Sequence, residues 1–595
     1  MSDKGNRGDQ GRGRGHPREE RSGNDRPRRE QGGGGYDRPR REQGGGGYDR
    51  PRREQGRGGY DRPRREQGGG GYDRPRREQG GGGYDRPRRE RSGDDRPRRE
   101  RSGDDRPRRE RSNRPERAGE GERQRRSYAE RAEGPRRRGV VSPARAVADA
   151  VLRGLFEEDA FLQPLLASES AKAQLHDSDR RLAWELVLGV SRRWGTLKAY
   201  VDALLRDDFD KLPGDVQRAL VLGAYQLIYL DRIPPHAAVN ESVELAKRES
   251  EWAVGLVNRV LKRIVEEGPP SLKGDKKKKP SPTQAQSVEL SHPEWWIKLQ
   301  LTHRSQTEMK ALAEANNEQA PLSIRVHPDR SEEEVLSLLK GEEATVTPSR
   351  WTPGTYLLEH PQPFGSESFK GGGWYAQDEA SQLVVDLLDA QPGQRVWDVC
   401  AAPGGKTLSL AGAVGEEGWV MATELHERKA HDLKDRLSRY AWVDTLNHDA
   451  SLGLPEATHA LAEARGLTVE GGFDRVLLDA PCSALGVIRR HPEIRWRRTL
   501  ADVKRSARRQ LDLLHSIALS VKVGGVLVYS VCTDSPQETT ELIKQLLLAY
   551  PEFDYAPLPG GRERWAGVMR GEHLSINPAE HGTDGFFAVR LLRSR

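Results

Sequence analysis

A chain of 595 residues is long enough for about three or four domains, and its 99 Arg or Lys against 91 Asp or Glu leave a formal net charge of +8. Three cysteines exclude a disulfide framework and suit a reducing setting, so a cytoplasmic location is expected. No apolar leader and no run of about 18 apolar residues is present, so neither secretion nor a membrane span is expected.

The positive charge is uneven. Residues 1–139 hold 43 Arg or Lys against 27 Asp or Glu, a surplus of 16, which leaves the rest of the chain acidic by 8. These residues form a tandem repeat. Arg-Pro-Arg-Arg-Glu-Gln-Gly-Gly-Gly-Gly-Tyr-Asp recurs every 12 residues, marked by Tyr36, Tyr48, Tyr60, Tyr72 and Tyr84, and then shortens to a unit of 10. The units bury almost no apolar surface, so chain entropy prevails and disorder is expected over 1–139. Arginines that meet phosphates and tyrosines that stack on bases make the tail an RNA tether. A solvated spacer is the other reading, because Asp and Glu dilute every unit.

From residue 140 the pattern turns helical. Ser142-Pro143 opens a helix by placing a capping residue before Pro, and Ala146, Val147, Ala150, Val151 and Leu155 follow at helical spacing. Similar patterns cover 182–205, 216–230, 237–246 and 252–264, punctuated by Pro213 and Pro234-Pro235. They predict an all-α domain over 140–268. It resembles the helical antitermination-factor (NusB-type) domain found ahead of some bacterial rRNA methyltransferases, and the resemblance implies RNA binding. Residues 269–290, with four lysines at 276–279, read as an unstructured linker. Over 291–370 a helix at 295–315, a strand at 321–326 and a helix at 332–339 predict a small α+β subdomain. From 371 to 595, strands at 395–399, 419–423, 475–479 and 525–530 alternate with helices at 379–388, 407–414, 426–440, 500–521 and 537–550. That alternation predicts a parallel, Rossmann-like α/β sheet.

The chemistry lies in this last region. Asp398-Val-Cys-Ala-Ala-Pro-Gly-Gly-Lys-Thr407 follows a strand and opens a helix. Glycines there permit close backbone approach to a ligand, and the helix start offers free N–H groups. The string is not a phosphate-binding P-loop, since GxxxxGK[ST] is absent. Glu424 ends the next strand, where an acid accepts hydrogen bonds from both ribose hydroxyls of a nucleoside cofactor. Asp449 follows a possible short strand, beside a His448 read as structural. Asp479-Ala-Pro-Cys482 and Tyr529-Ser-Val-Cys532-Thr both fall at strand ends, where open α/β sheets place their ligands. All three cysteines of the chain, Cys400, Cys482 and Cys532, thus lie inside motifs.

Together these strings resemble the RNA cytosine-C5 methyltransferases, which use S-adenosylmethionine (SAM). The resemblance covers about residues 140–595 and leaves the tail outside. It implies that Cys400, Ala401, Ala402, Pro403, Gly404, Gly405 and Lys406 form the SAM turn, that Glu424 and Asp449 hold its ribose and adenine side, and that Asp479 borders the same site. It also implies that Cys532 is the nucleophile, Cys482 the residue that assists product release, and Asp479 the acid near N3 of the base. DNA cytosine methyltransferases instead use the Pro-Cys residue. Ser-Val-Cys-Thr stands here where many members have Thr-Cys-Ser, a swap that leaves the thiol in place.

Ser483-Ala-Leu-Gly-Val-Ile-Arg-Arg-His-Pro-Glu-Ile-Arg-Trp496 is dense in arginine and reads as an RNA-contacting segment. This string resembles bacterial 16S rRNA enzymes that methylate cytosine in the helix 31 loop (the cytosine-967 type). Gly582-Thr-Asp-Gly-Phe-Phe-Ala588 matches the family's closing strand. By the resemblance, 291–370 is an RNA-binding subdomain, the expected partner is 16S rRNA, and the chain acts as a monomer without a metal. Two rival readings stand beside it. One is a cytosine-C5 methyltransferase of tRNA or large-subunit (23S) rRNA. The other is a non-catalytic ribosome-assembly factor, against which the intact Cys532, Cys482 and Asp479 argue.

Overall fold

The structure is a computed structural model that describes residues 140–157, 161–271 and 280–595. The repeat tail and the centre of the expected linker lie outside the described residues.

Among the described residues, six helices build the first domain: Pro143–Glu157, Leu162–Lys172, Asp177–Leu204, Gly214–Tyr229, Pro235–Lys247 and Val254–Glu267. Helix Gly214–Tyr229 is buried on almost every side and forms the domain's axis. The last helix buries only Val257, Val260, Leu261 and Ile264, a stripe at spacings of three and four that faces the shared core. Where Asp177–Leu204 meets the axial helix, a side chain on Gly189 would stand 2.0 Å from the Tyr225 ring. Close approach therefore requires glycine there. Leu162–Lys172 was not anticipated, because Pro164 and two serines leave it without a clear apolar stripe.

The segment expected as an unstructured linker is helical over Pro282–Glu289. A capping box explains this: Ser281 Oγ accepts from Gln284 N at 3.2 Å while Gln284 Oε1 accepts from Ser281 N at 3.0 Å. Thr196 Oγ1 donates to Val288 O at 2.6 Å and fixes this helix to the first domain. The single helix expected at 295–315 is two, Glu294–Gln300 and Gln306–Ala315, because Ser305 and Glu308 form a second capping box.

Strands β1 (Leu322–Val326), β2 (Thr345–Pro348), β3 (Thr355–Glu359) and β4 (Trp374–Ala376) make an antiparallel sheet in the order β2-β3-β1-β4, backed by helix Glu332–Gly341. Strand β4 lies beyond the expected boundary at 370, so this small sheet borrows its last strand from the segment assigned to the catalytic domain.

The larger sheet contains β5 (Arg395–Asp398), β6 (Trp419–Glu424), β7 (Val443–Asn447), β8 (Phe473–Asp479), β9 (Val521–Val531), β10 (Phe553–Tyr555), β11 (Met569–Arg570), β12 (His573–Ile576) and β13 (Phe586–Arg593). Its order is β11-β12-β13-β9-β8-β5-β6-β7, with β10 on β13. The pairs from β7 through β9 are parallel, and those made by β13 are antiparallel. Every residue of β6 is buried, as a parallel strand covered on both faces must be. From β5 the chain proceeds outward through β6 and β7, then returns to β8 on the other side. The direction of winding reverses between β5 and β8, and open sheets bind ligands at such a switch point. No helix among the described residues is long and apolar enough to cross a membrane.

Candidate active site

The carboxyl ends of β5 and β8 border a cavity of about 580 Å³. Its wall includes Asp398, the turn residues Cys400, Ala401, Ala402, Pro403, Gly405 and Lys406, and also Asp479 and Cys532. After β5 the chain tightens: Ala401 N donates to Thr423 O at 3.0 Å and Gly404 N to Ala401 O at 2.8 Å. Gly404 sits at φ +99°, and a side chain there would meet Leu433 at 2.7 Å. The glycine therefore shapes the turn from behind the cavity wall, and helix Gly405–Val414 starts at once.

Glu424 and Asp449 end the next strands along, at β6 and just after β7, and neither belongs to the wall of this cavity. They are tied together through the backbone. Asn447 Nδ2 and His448 N both donate to Glu424 O, at 2.9 and 3.0 Å. Glu424 is nearly buried, and its Oε1 accepts from His426 N at 3.0 Å. Asp449 Oδ1 accepts from the Ser451 hydroxyl at 2.7 Å and from its N–H at 3.0 Å, which holds the carboxyl below its usual range. His448 is structural as expected, its Nε2 lying 2.8 Å from Gly453 O.

Asp479 is held from two sides. Lys406 Nζ lies 2.7 Å from its Oδ2, and Ser530 Oγ donates to its Oδ1 at 2.8 Å. The second contact follows from register, since Asp479 pairs with Ser530 across β8 and β9. Burial works against the Lys406 charge, but the Asp479 carboxylate outweighs it and raises the ammonium above its ordinary value. Lys406, expected only as part of the cofactor turn, thus also pins the acid.

The same register brings the two motif cysteines together, with Cys482 Sγ 3.2 Å from Cys532 Sγ. The hydrogen bond with Cys532, reinforced by burial, pushes the Cys482 thiol well up. Two adjacent thiols cannot both ionise readily, which keeps the Cys482 thiol protonated. Burial and the surrounding acids push the Cys400 thiol up as well.

Two acids of the site were not anticipated. Asp398 is fully buried, and burial pushes its carboxyl up to about 7 against the pull of Thr407, whose hydroxyl donates to Oδ2 at 2.7 Å. Its Oδ1 has no partner among the described residues. Glu538 is also fully buried. It accepts from Ser483 N at 2.8 Å, Gln510 Nε2 at 3.0 Å and Ser535 Oγ at 2.9 Å, and so ties the loop after Cys482 to the loop after Cys532. The visible signal was an acid inside an otherwise small-residue string for Asp398. Glu538 carried none.

In the arginine-rich segment 483–496, expected to contact RNA, Arg490 and His491 line the cavity while other side chains are taken up by the fold. Arg495 is wholly buried and donates to Ser291 O at 3.0 Å, Asn317 Oδ1 at 2.7 Å and Asn316 O at 3.0 Å. Trp496 Nε1 donates to Ser191 O at 2.7 Å. Arg490 bridges Asp378 and Asp584, each at 2.6 Å. Arg495 and Trp496 clamp the catalytic domain to the small subdomain and the helical domain, because their donors find acceptors across the junction, while Arg490 ties two segments within the catalytic domain.

Comparison with known proteins agrees with this organisation. The family described as 16S rRNA methyltransferase RsmB/F matches residues 385–592, the NusB family matches 142–266, and a ferredoxin-like domain of RsmF/B-like methyltransferases matches 292–365. Ribosomal RNA small subunit methyltransferase B of Pseudomonas putida is 35% identical over 460 residues, covering 76% of this chain and 98% of that protein. The probable small subunit methyltransferase B of Bacillus subtilis is 32% identical over 478 residues, covering 75% and 98%. The crystal structure of PH0851 shares the fold, with a TM-score of 0.62 and 24% identity, over 76% of this chain and 99% of that one.

Proposed function

The chain belongs to the 16S rRNA methyltransferase RsmB/F family and is a SAM-dependent RNA methyltransferase, and on that premise we propose that it methylates C5 of a cytosine in the helix 31 loop of 16S rRNA through a covalent Cys532–C6 adduct. The observation that carries this reading is the pair of thiols 3.2 Å apart at the ends of β8 and β9, with the Lys406–Asp479 pair beside them.

The site suits SAM. Oδ1 of Asp398, buried and unpartnered among the described residues, suits an ammonium such as that of the methionine moiety. The turn 400–406 would hold the cofactor's middle, Glu424 its ribose hydroxyls and Asp449 its adenine side. When bound, SAM supplies an electrophilic methyl group.

The chain's own residues prepare the base. Aromatic C5 is a poor nucleophile. Addition of the Cys532 thiolate to C6 breaks the C5=C6 double bond and turns the ring into an enamine-like species with electron density at C5. Asp479 stands near N3, where charge develops, and Lys406 and Ser530 fix its orientation. After methylation a base takes the C5 proton. The freed C–H pair restores C5=C6, and the C6–S pair leaves with the Cys532 sulfur. Cys482, hydrogen-bonded to that sulfur, assists its departure. The target base must leave its stack to enter the cavity, which favours a loop over duplex.

Bisulfite sequencing of rRNA and tRNA from cells with and without the protein tests the reading. One helix 31 cytosine should resist conversion only when the protein is present. Protection in tRNA or large-subunit rRNA would move the target, and no protection anywhere would leave a non-catalytic assembly factor.

A further inference from the structure

One part of the cavity wall comes from outside the catalytic sheet. Gln163, on helix Leu162–Lys172 of the helical domain, lines the same cavity as Asp479 and Cys532. Two contacts hold the start of that helix and its preceding residue against residues 490–497. Gln163 Nε2 donates to Arg490 O at 3.4 Å, and the Arg497 guanidinium lies 5.1 Å from the centre of the Phe161 ring. Arg495 and Trp496 also lock the segment to the helical domain, through Arg192 O at 3.3 Å and Ser191 O at 2.7 Å. The position of Gln163 is therefore set by the clamp described above.

The Gln163 carboxamide has two N–H donors and a carbonyl acceptor. Its contact with Arg490 is long and engages one donor. Among the described residues its Oε1 accepts no hydrogen bond. The side chain is half-buried and lines the cavity, so its remaining donor and its acceptor are available there. A primary amide is suited to base edges, since it donates and accepts in one plane, and the edges of unstacked loop bases are open to it.

We propose that Gln163 is a substrate-positioning residue whose carboxamide hydrogen-bonds a base edge of the RNA strand carrying the target cytosine, so that the helical domain completes the catalytic site. The inference rests on the RNA-methyltransferase reading.

Steady-state transfer of labelled methyl groups from SAM to a 16S rRNA fragment containing helix 31 tests it, with the full chain and its Gln163→Ala and Gln163→Glu variants. Loss of one neutral hydrogen bond to the RNA should raise KM for RNA about 2- to 12-fold in Gln163→Ala, with kcat and KM for SAM unchanged. Gln163→Glu, which loses the donors and adds a charge facing phosphates, should be at least as impaired. Selectivity against fragments with substituted loop bases should fall by a similar factor, a readout that a purely structural role would not move. Wild-type KM and selectivity in Gln163→Ala overturn the inference, and so does an effect confined to KM for SAM. A wild-type chain that labels no RNA sinks the methyltransferase reading and this inference with it. A wild-type chain that labels RNA while the variant matches it sinks this inference alone.

Discussion

At the scale of single residues, the proposed mechanism gives the two adjacent thiols different roles. The contact with Cys532 and burial raise the Cys482 thiol, which is in keeping with the proposal that Cys532 is the nucleophile. Cys532→Ala should abolish methyl transfer. Cys482→Ala should trap a protein–RNA adduct that survives a denaturing gel, because the residue proposed to assist release is gone. Adduct formation retained by Cys532→Ala and lost by Cys482→Ala would reverse the assignment. Glu424→Ala removes the acceptor proposed for the ribose hydroxyls. Losing hydrogen bonds to a charged group costs about 1.5–3 kcal/mol, roughly 10- to 150-fold in SAM affinity, which calorimetric titration reads directly. Unchanged affinity would take Glu424 out of the cofactor site. Asp398 gives a pH prediction. Its carboxyl, ordinarily near 3.8, is pushed up to about 7 in the fold by burial. The folded chain therefore keeps a proton that the unfolded chain releases, so this group's contribution to stability is greatest below the unfolded value. It falls as pH rises toward the folded value and levels off above it. Asp398→Asn cannot ionise. Its stability relative to wild type should rise across that window by at most about 4 kcal/mol, as measured by denaturant midpoints without ligand. A difference independent of pH would mean that Asp398 is ionised in the native chain.

At the scale of elements, strand ends do the positioning. The register of β8 on β9 sets Asp479 beside Ser530, and the loops beyond them are joined by Glu538. Glu538→Ala would leave the donors of Ser483 and Gln510 buried without their acceptor. Each such orphan costs about 1–3 kcal/mol. The variant should lose about 3 kcal/mol or more of stability in thermal or urea melts, and turnover should fall more than SAM affinity because the cysteine loops lose their tie. Unaltered turnover in a folded variant would show that the loops hold their places without it. Element boundaries moved where caps or strands intervened. The helix expected at 500–521 stops at Ile517, because the β-branched run from Val521 pairs into the sheet as β9. The expected helix at 295–315 breaks at the Ser305 capping box.

At the scale of the whole molecule, the arginine-rich segment fixes the helical domain to the catalytic domain through Arg495 and Trp496, while residues 1–139 add charge beyond the described fold. The tail's surplus of 16 positive charges motivates a salt prediction. Arginine–phosphate contacts release counterions, so their contribution weakens as salt rises. A chain beginning at Val140 should fold, methylate the same nucleotide, bind RNA more weakly at low salt, and show a shallower slope of log affinity against log salt. Identical slopes would make the repeats a spacer. A changed methylation site would mean that they help to choose the target.

The sequence by itself determined the family, the domain order and the three motifs, because turn chemistry, helical periodicity and strand-end strings are local. It marked Cys482, Cys532 and Asp479 by their motifs, but it did not place them beside one another. Only the tertiary structure decided that the thiols touch, that Lys406 reaches Asp479, and that Glu538 joins two loops 50 residues apart. Those relations depend on the register between β8 and β9 and on burial, which no local window contains. The arginines of 483–496 make the same point from the opposite side. In the sequence they read as RNA-contacting residues, and the fold buries Arg495 because carbonyls and an asparagine of the small subdomain and a carbonyl of the helical domain supply the acceptors its burial requires.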